Sequence, residues 1–184
     1  AGKFTISNCT IDCENTYIQK KTGSNYLTKG LSIGQGSEKA EGTLDQVVIL
    51  NAQSGYSTWS AAAIEIFQNS DVAITNTEVS SCDYGIWVDS YYPSSASGST
   101  VASVTLGEGN NIVPNEETPK ESVFVAVDSS NSNLSAQVSI TGGSYDGPVY
   151  IYDYTKPGYF SNTEDTFLSI TGGRFDNLTP EGME

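Results

Sequence analysis

The chain of 184 residues contains no histidine, a single arginine, a single methionine and only 8 basic residues against 22 acidic ones. Without histidine, the zinc constellations of familiar spacing are excluded. Three cysteines, at positions 9, 13 and 82, are too few and odd in number for a disulfide framework. Cys9 and Cys13 cannot bridge within a strand, because four extended residues span roughly 13 Å. No run of 18 apolar residues occurs, so no segment reads as a transmembrane helix. The shortage of lysine and arginine, with a net charge of −14, argues against nucleic acid and anionic membranes as partners. It favours neutral glycans, cations or basic partners. No signal peptide is visible, and both ends read as cuts within a longer polypeptide.

What the chain does have is repetition. Ser139-Ile-Thr-Gly-Gly-Ser-Tyr-Asp146 and Ser169-Ile-Thr-Gly-Gly-Arg-Phe-Asp176 match almost letter for letter, thirty residues apart. Weaker echoes appear at Phe4-Thr-Ile-Ser-Asn8, Val47-Val-Ile-Leu-Asn51, Val72-Ala-Ile-Thr-Asn76 and Val104-Thr-Leu-Gly-Glu108. A second series follows at variable distance: Ala63–Phe67, Gly85–Asp89, Val123–Val127 and Val149–Asp153. Both show the period-two alternation of half-buried strands, separated by Asn, Asp, Gly and Ser turns. Repeats of this length indicate one supersecondary unit stacked on itself. A β-sandwich shares the short, evenly spaced strands, but like patterns recurring in one order favour a coil.

The Leu/Val-Ser-Ile-Thr-Gly-Gly-x-Phe/Tyr-Asp repeat resembles those of surface proteins of gut Gram-positive bacteria. Over most of its length the chain looks like a right-handed parallel β-helix of the pectate-lyase-like superfamily. That resemblance implies an all-β solenoid of about six rungs in one domain, 1–184, with 13–46 as an irregular excursion. Gly30-Leu-Ser-Ile-Gly34 is a candidate strand inside that excursion. Ile49, Ile74, Leu106, Ile140 and Ile170 are expected to stack as one aliphatic column, each strand about 4.8 Å from the next. Asn8, Asn51 and Asn76 are expected at one bend, as a ladder or in a turn conformation. Gly142-Gly143 and Gly172-Gly173 supply positive φ or a close backbone approach. Cys13 and Cys82 fall at similar places in two repeats and are expected in the core.

Strand parity then picks out a face. With Ile64/Ile66, Ile86/Val88, Val123/Val125 and Val149/Ile151 inward, the outward rows are Glu65, Trp87, Phe124, Tyr150 and Phe67, Asp89, Ala126, Tyr152. Tyr84, Tyr91, Tyr92, Tyr145 and Tyr154 flank them on turns. Aromatic plates beside carboxylates suit a sugar chain, whose CH faces pack on rings while its hydroxyls bond acidic groups. The candidate ligand-binding set is therefore Trp87, Phe124, Tyr150, Tyr152, Glu65, Asp89, Tyr91 and Tyr92. A covering loop or a domain interface would equally occupy such a row, and cross-strand rings stabilise sheets unaided.

Catalysis has little support. Pectate lyases and polygalacturonases, which the resemblance brings to mind, use calcium-binding aspartates with a basic residue, or aspartates beside a Gly-His-Gly motif. The second signature is absent, and Arg174 lies in a turn. Lys20, Lys21 and Lys156 leave a lysine-based lyase open. Glu65 and Asp89, offset by roughly 8 Å, fall in the roughly 6.5–9.5 Å window of an inverting glycosidase pair. Asp83, Asp89, Asp128 and Asp153 recur near strand ends and form a candidate Ca²⁺ set, although no calcium loop pattern is present. The expectation is thus a non-catalytic, extracellular or cell-surface module presenting Trp87, Phe124 and Tyr150 to polysaccharide, beside neighbouring domains of the same chain. A polysaccharide lyase or glycosidase, and a stiff structural spacer, are the alternatives.

Overall fold

The computed structural model describes residues 2–14, 29–34, 38–53, 61–90, 100–115, 121–155 and 166–177. Among them the chain is all-β. The earlier strands are β1 (Gly2–Asp12), β2 (Leu31–Ile33), β3 (Ala40–Leu50), β4 (Ala62–Phe67), β5 (Ser70–Thr75), β6 (Glu78–Cys82) and β7 (Tyr84–Ser90). The later ones are β8 (Thr100–Leu106), β9 (Asn111–Pro114), β10 (Val123–Val127), β11 (Leu134–Ile140), β12 (Ser144–Asp146), β13 (Val149–Asp153), β14 (Phe167–Ile170) and β15 (Arg174–Asp176).

The expected single right-handed β-helix of about six rungs is corrected by the strand pairing. The strands form two separate parallel sheets. One has ten strands, a half-barrel ordered β14-β11-β8-β5-β3-β6-β9-β12-β15, with β1 paired to β3 off that path. The other has five, ordered β13-β10-β7-β4-β2. The large sheet divides at β3, which pairs β5 through Ala40–Asp45 and β6 through Val48–Leu50. The reading in two series overlooked the short strands β6, β9, β12 and β15. For β12 and β15 the repeat holds a single hint, Tyr145 and Phe175 two residues after Gly-Gly, and β6 and β9 lack even that.

Left-handed residues make the bends. Asn8 (φ 52°), Gln46 (φ 56°), Asn76 (φ 48°), Gly109 (φ 72°), Gly143 (φ 91°) and Gly173 (φ 108°) turn the chain between the two halves of the large sheet. Asn51 (φ 62°), Ser81 (φ 55°), Gly147 (φ 121°) and Asn177 (φ 54°) turn it again where the second half ends. Asparagine tolerates this region because its short amide bonds locally. Asn8 and Asn76 therefore share a bend, whereas Asn51 belongs to the next one. Asn51, Asn76 and Asn177 each bond an aspartate on a neighbouring strand. Asn51 Nδ2 donates to Asp12 (2.9 Å), Asn76 Nδ2 to Asp45 (2.8 Å) and Asn177 Nδ2 to Asp146 (2.7 Å). These bonds hold the Asp12 and Asp45 carboxyls below their ordinary range.

The core consists of in-register columns. Leu44, Ile74, Leu106, Ile140 and Ile170 align through β3, β5, β8, β11 and β14. Ile49, placed in that column by its sequence pattern, instead aligns with Val79, Ile112, Tyr145 and Phe175. Tyr145, expected on a turn, lies in β12, fully buried and stacked on Phe175 with centroids 5.2 Å apart. Ile64 and Ile66 of β4 face Ile86 and Val88 of β7, and Val123 and Val125 of β10 continue both columns. Each fully buried aliphatic side chain contributes roughly 1.5–3 kcal/mol. Cys13 and Cys82 are buried as expected, and burial pushes the Cys82 thiol up to about 12. Within the stretch 13–46, β2 pairs with β4 and residues 40–46 belong to β3, while 15–28 and 35–37 lie outside the described residues.

Candidate functional site

The outer face of the five-stranded sheet carries the residues that strand parity selects. The register aligns Ser32, Glu65, Trp87, Phe124 and Tyr150 across β2, β4, β7, β10 and β13. Beside them run Phe67, Asp89, Ala126 and Tyr152. Both rows thus stack in the expected order. The backbone places Tyr150 in its row, while Tyr91 and Tyr92 lie outside the described residues.

Five rings meet here. Trp87 packs edge-on to Phe124, with centroids 5.1 Å apart at 90°, and Tyr84 lies 5.1 Å from Trp87 and 5.5 Å from Phe124. On the other side of Phe124 stand Tyr152 at 6.1 Å and Tyr154 at 6.5 Å, themselves in contact at 4.9 Å. Edge-to-face and tilted pairs at these separations add about 0.5–1.5 kcal/mol each beyond area burial. Tyr84 joins the cluster from β7, not from a turn, and Tyr154 follows β13 directly.

The row is not an open platform. Phe124 is 4% exposed, whereas Tyr84, Trp87 and Tyr152 are half-buried and Tyr154 is 41% exposed. The ring closest to the middle serves as packing, and its neighbours form a rim. Among the described residues the buried Trp87 Nε1 meets no hydrogen-bond acceptor.

The carboxylates are buried as well. Glu65 is ion-paired with Lys29, accepts a hydrogen bond from Ser32 Oγ at 3.4 Å, and is 4% exposed. Lys29 also lies over Phe67, 5.3 Å from the ring centroid, a cation–π contact. Asp89 is 2% exposed. The two acids keep the expected offset of one strand and two residues. Both are buried, and Glu65 is in addition paired with Lys29. Lys29 went unnoticed in the sequence because it sits in the stretch read as an excursion; its place two residues before Leu31-Ser-Ile33 was the only signal.

Three of the four aspartates considered for Ca²⁺ accept local hydrogen bonds. Asp83 Oδ2 accepts from the Ala61 backbone (3.1 Å), and Asp128 Oδ1 from the Ser130 backbone (2.9 Å). Asp153 Oδ1 accepts from the Thr155 backbone (3.0 Å), Thr155 Oγ1 (2.7 Å) and the Ser129 backbone (3.4 Å). Burial alone would push the Asp153 carboxyl up, but the bonds from Ser129 and Thr155 outweigh it and hold the group at about 2. Among the described residues no three or more Cys, Asp or Glu side chains converge as a metal would require. No protein-family model matches the chain, and neither a curated protein nor a solved structure matches it.

Proposed function

We propose that the chain is a non-catalytic polysaccharide-binding module acting outside the cell, in adhesion or substrate targeting. Its contact surface is the aromatic rim of Tyr84, Trp87, Tyr152 and Tyr154 around Phe124. The observation that carries this reading is the position of the five rings. They lie on the outer face of a sheet whose inner face already supplies a complete aliphatic core. Rings that are not needed for that core, with apolar bodies and polar tips, suit the CH faces and hydroxyls of sugars. Retention on gels bearing immobilised polysaccharides tests it. Wild type is retained, and Trp87→Ala and Tyr154→Ala each weaken retention several-fold. Wild type passing every gel, or both variants being retained equally, overturns the reading.

A second reading is favoured by the burial of Phe124, Glu65 and Asp89: the same face is a minor core of a stiff spacer. Under that reading Tyr154→Ala changes neither binding nor stability, while Phe124→Ala lowers stability by about 3–5 kcal/mol.

A further inference from the structure

The outer face of the large sheet holds a groove of about 510 Å³, far from the aromatic cluster in the strand order, on β1, β3 and β5. Its lining comprises two parallel columns of polar side chains and, between them, the Phe4 side chain and Gly42. Lys3, Glu41 and Asp71 align as one wall, and Thr5 and Thr43 align as the other. Lys39 braces the first wall, with Nζ 3.1 Å from Glu41 Oε1 and 3.5 Å from Asp71 Oδ2. Lys3 Nζ stands 3.9 Å from Glu41 and is 84% exposed.

The chemistry of this groove narrows its ligand. Two lysines balance two carboxylates, so the site is locally neutral on a chain of net charge −14. A divalent cation would have to displace Lys39 from both carboxylates, and a polyanion would meet Glu41 and Asp71. What remains is a groove offering ammonium donors, carboxylate acceptors, hydroxyls that serve as either, and the apolar Phe4 side chain, a set that suits the hydroxyls and CH groups of a polyol. The hydroxyl column does not stop at the groove. Thr43 continues through Ala73 to Thr105, Ser139 and Ser169, one strand at a time and half-buried or exposed throughout. Ala73 interrupts it, so Thr43 and Thr105 lie two strand spacings of about 4.8 Å apart, while Thr105, Ser139 and Ser169 follow at one spacing each.

We propose that this groove is a second ligand site, independent of the aromatic rim, that takes an extended neutral polysaccharide lying along the strand stack. The groove seats one stretch of the chain, and the hydroxyl column extends the contact, so affinity rises with chain length. A monosaccharide, which reaches only one or two columns, binds weakly.

Affinity electrophoresis in gels containing galactomannan, mixed-linkage β-glucan, hydroxyethylcellulose or polygalacturonate tests it. At least one neutral polymer retards wild type, and polygalacturonate does not. The double variant Thr5→Val/Thr43→Val keeps shape and strand preference but loses two hydroxyls, and it weakens that retardation about tenfold. Glu41→Gln, which preserves the packing, also weakens it and serves if the double variant unfolds. Retardation by no neutral polymer overturns the proposal, as does equal retardation by polygalacturonate or wild-type behaviour of the groove variants. Loss in Trp87→Ala but not in the groove variants sinks the groove and leaves the aromatic rim standing. The reverse pattern supports the groove and counts against the rim.

Discussion

Asn76, held at φ 48°, donates from Nδ2 to Asp45 Oδ1 at 2.8 Å and so ties the bend after β5 to the strand beside it. Two features are combined at one residue, a backbone conformation that most side chains resist and a side-chain bond to the Asp45 carboxylate, which Thr75 Oγ1 shares at 2.9 Å. Asn76→Gly keeps the first and gives up the second, so it is expected to cost about 0.5–1 kcal/mol. Asn76→Val gives up both and is expected to cost about 1–2 kcal/mol. Urea midpoints of the two variants check the order.

Acid should loosen the chain in a defined window through Asp153. Its carboxyl titrates at about 2 in the folded state, below the roughly 3.9 of an unfolded aspartate. The folded form therefore gains stability from the charged group above about pH 4, and loses it as pH falls towards 2. Asp153→Asn removes the charge-assisted bonds from Ser129 and Thr155 and should cost about 1–3 kcal/mol at neutral pH. The variant should also flatten the acid limb of a stability profile followed by circular dichroism.

The all-β class and the alternation of the strands were legible in the letters, the division into two parallel sheets was not, and the misreadings have a physical source. The outward rows Glu65–Trp87–Phe124 and Phe67–Asp89 followed from alternation alone, because a parallel register moves every side chain of a strand together. The third row of strands was not visible, because β12 and β15 are three residues long and too short for periodicity to register. Ile49 was misplaced because both bends follow the same Ile-x-Asn pattern, and the pattern does not say which bend it serves. Burial of Phe124 and Glu65 depends on what packs above the sheet, and alternation distinguishes only the two faces of a strand.

The shared Ile column predicts a position-dependent cost of truncation. Ile140 is fully buried with neighbours in β8 and β14, while Ile170 at the margin is 48% exposed. Ile140→Ala should cost about 2–5 kcal/mol, and Ile170→Ala clearly less, under about 1 kcal/mol. Thermal or urea unfolding of the pair checks it.

Lys29 and Glu65 should behave as a unit. Removing the lysine alone leaves a carboxylate 4% exposed without its counter-charge, and Lys29→Met should cost about 3 kcal/mol. Adding Glu65→Leu should recover most of the loss, because an apolar pair tolerates the site better than a stranded anion. A double-mutant cycle in urea measures the coupling.

The register that aligns Leu44 with Ile74, Leu106 and Ile140 also decides how the molecule bears load. Tension applied perpendicular to the strands meets one ladder of hydrogen bonds at a time and peels the sheet from its margin. Tension applied along a strand must shear several ladders at once. The same fold is therefore yielding in one direction and stiff in the other, and its mechanical strength depends on where neighbouring segments pull.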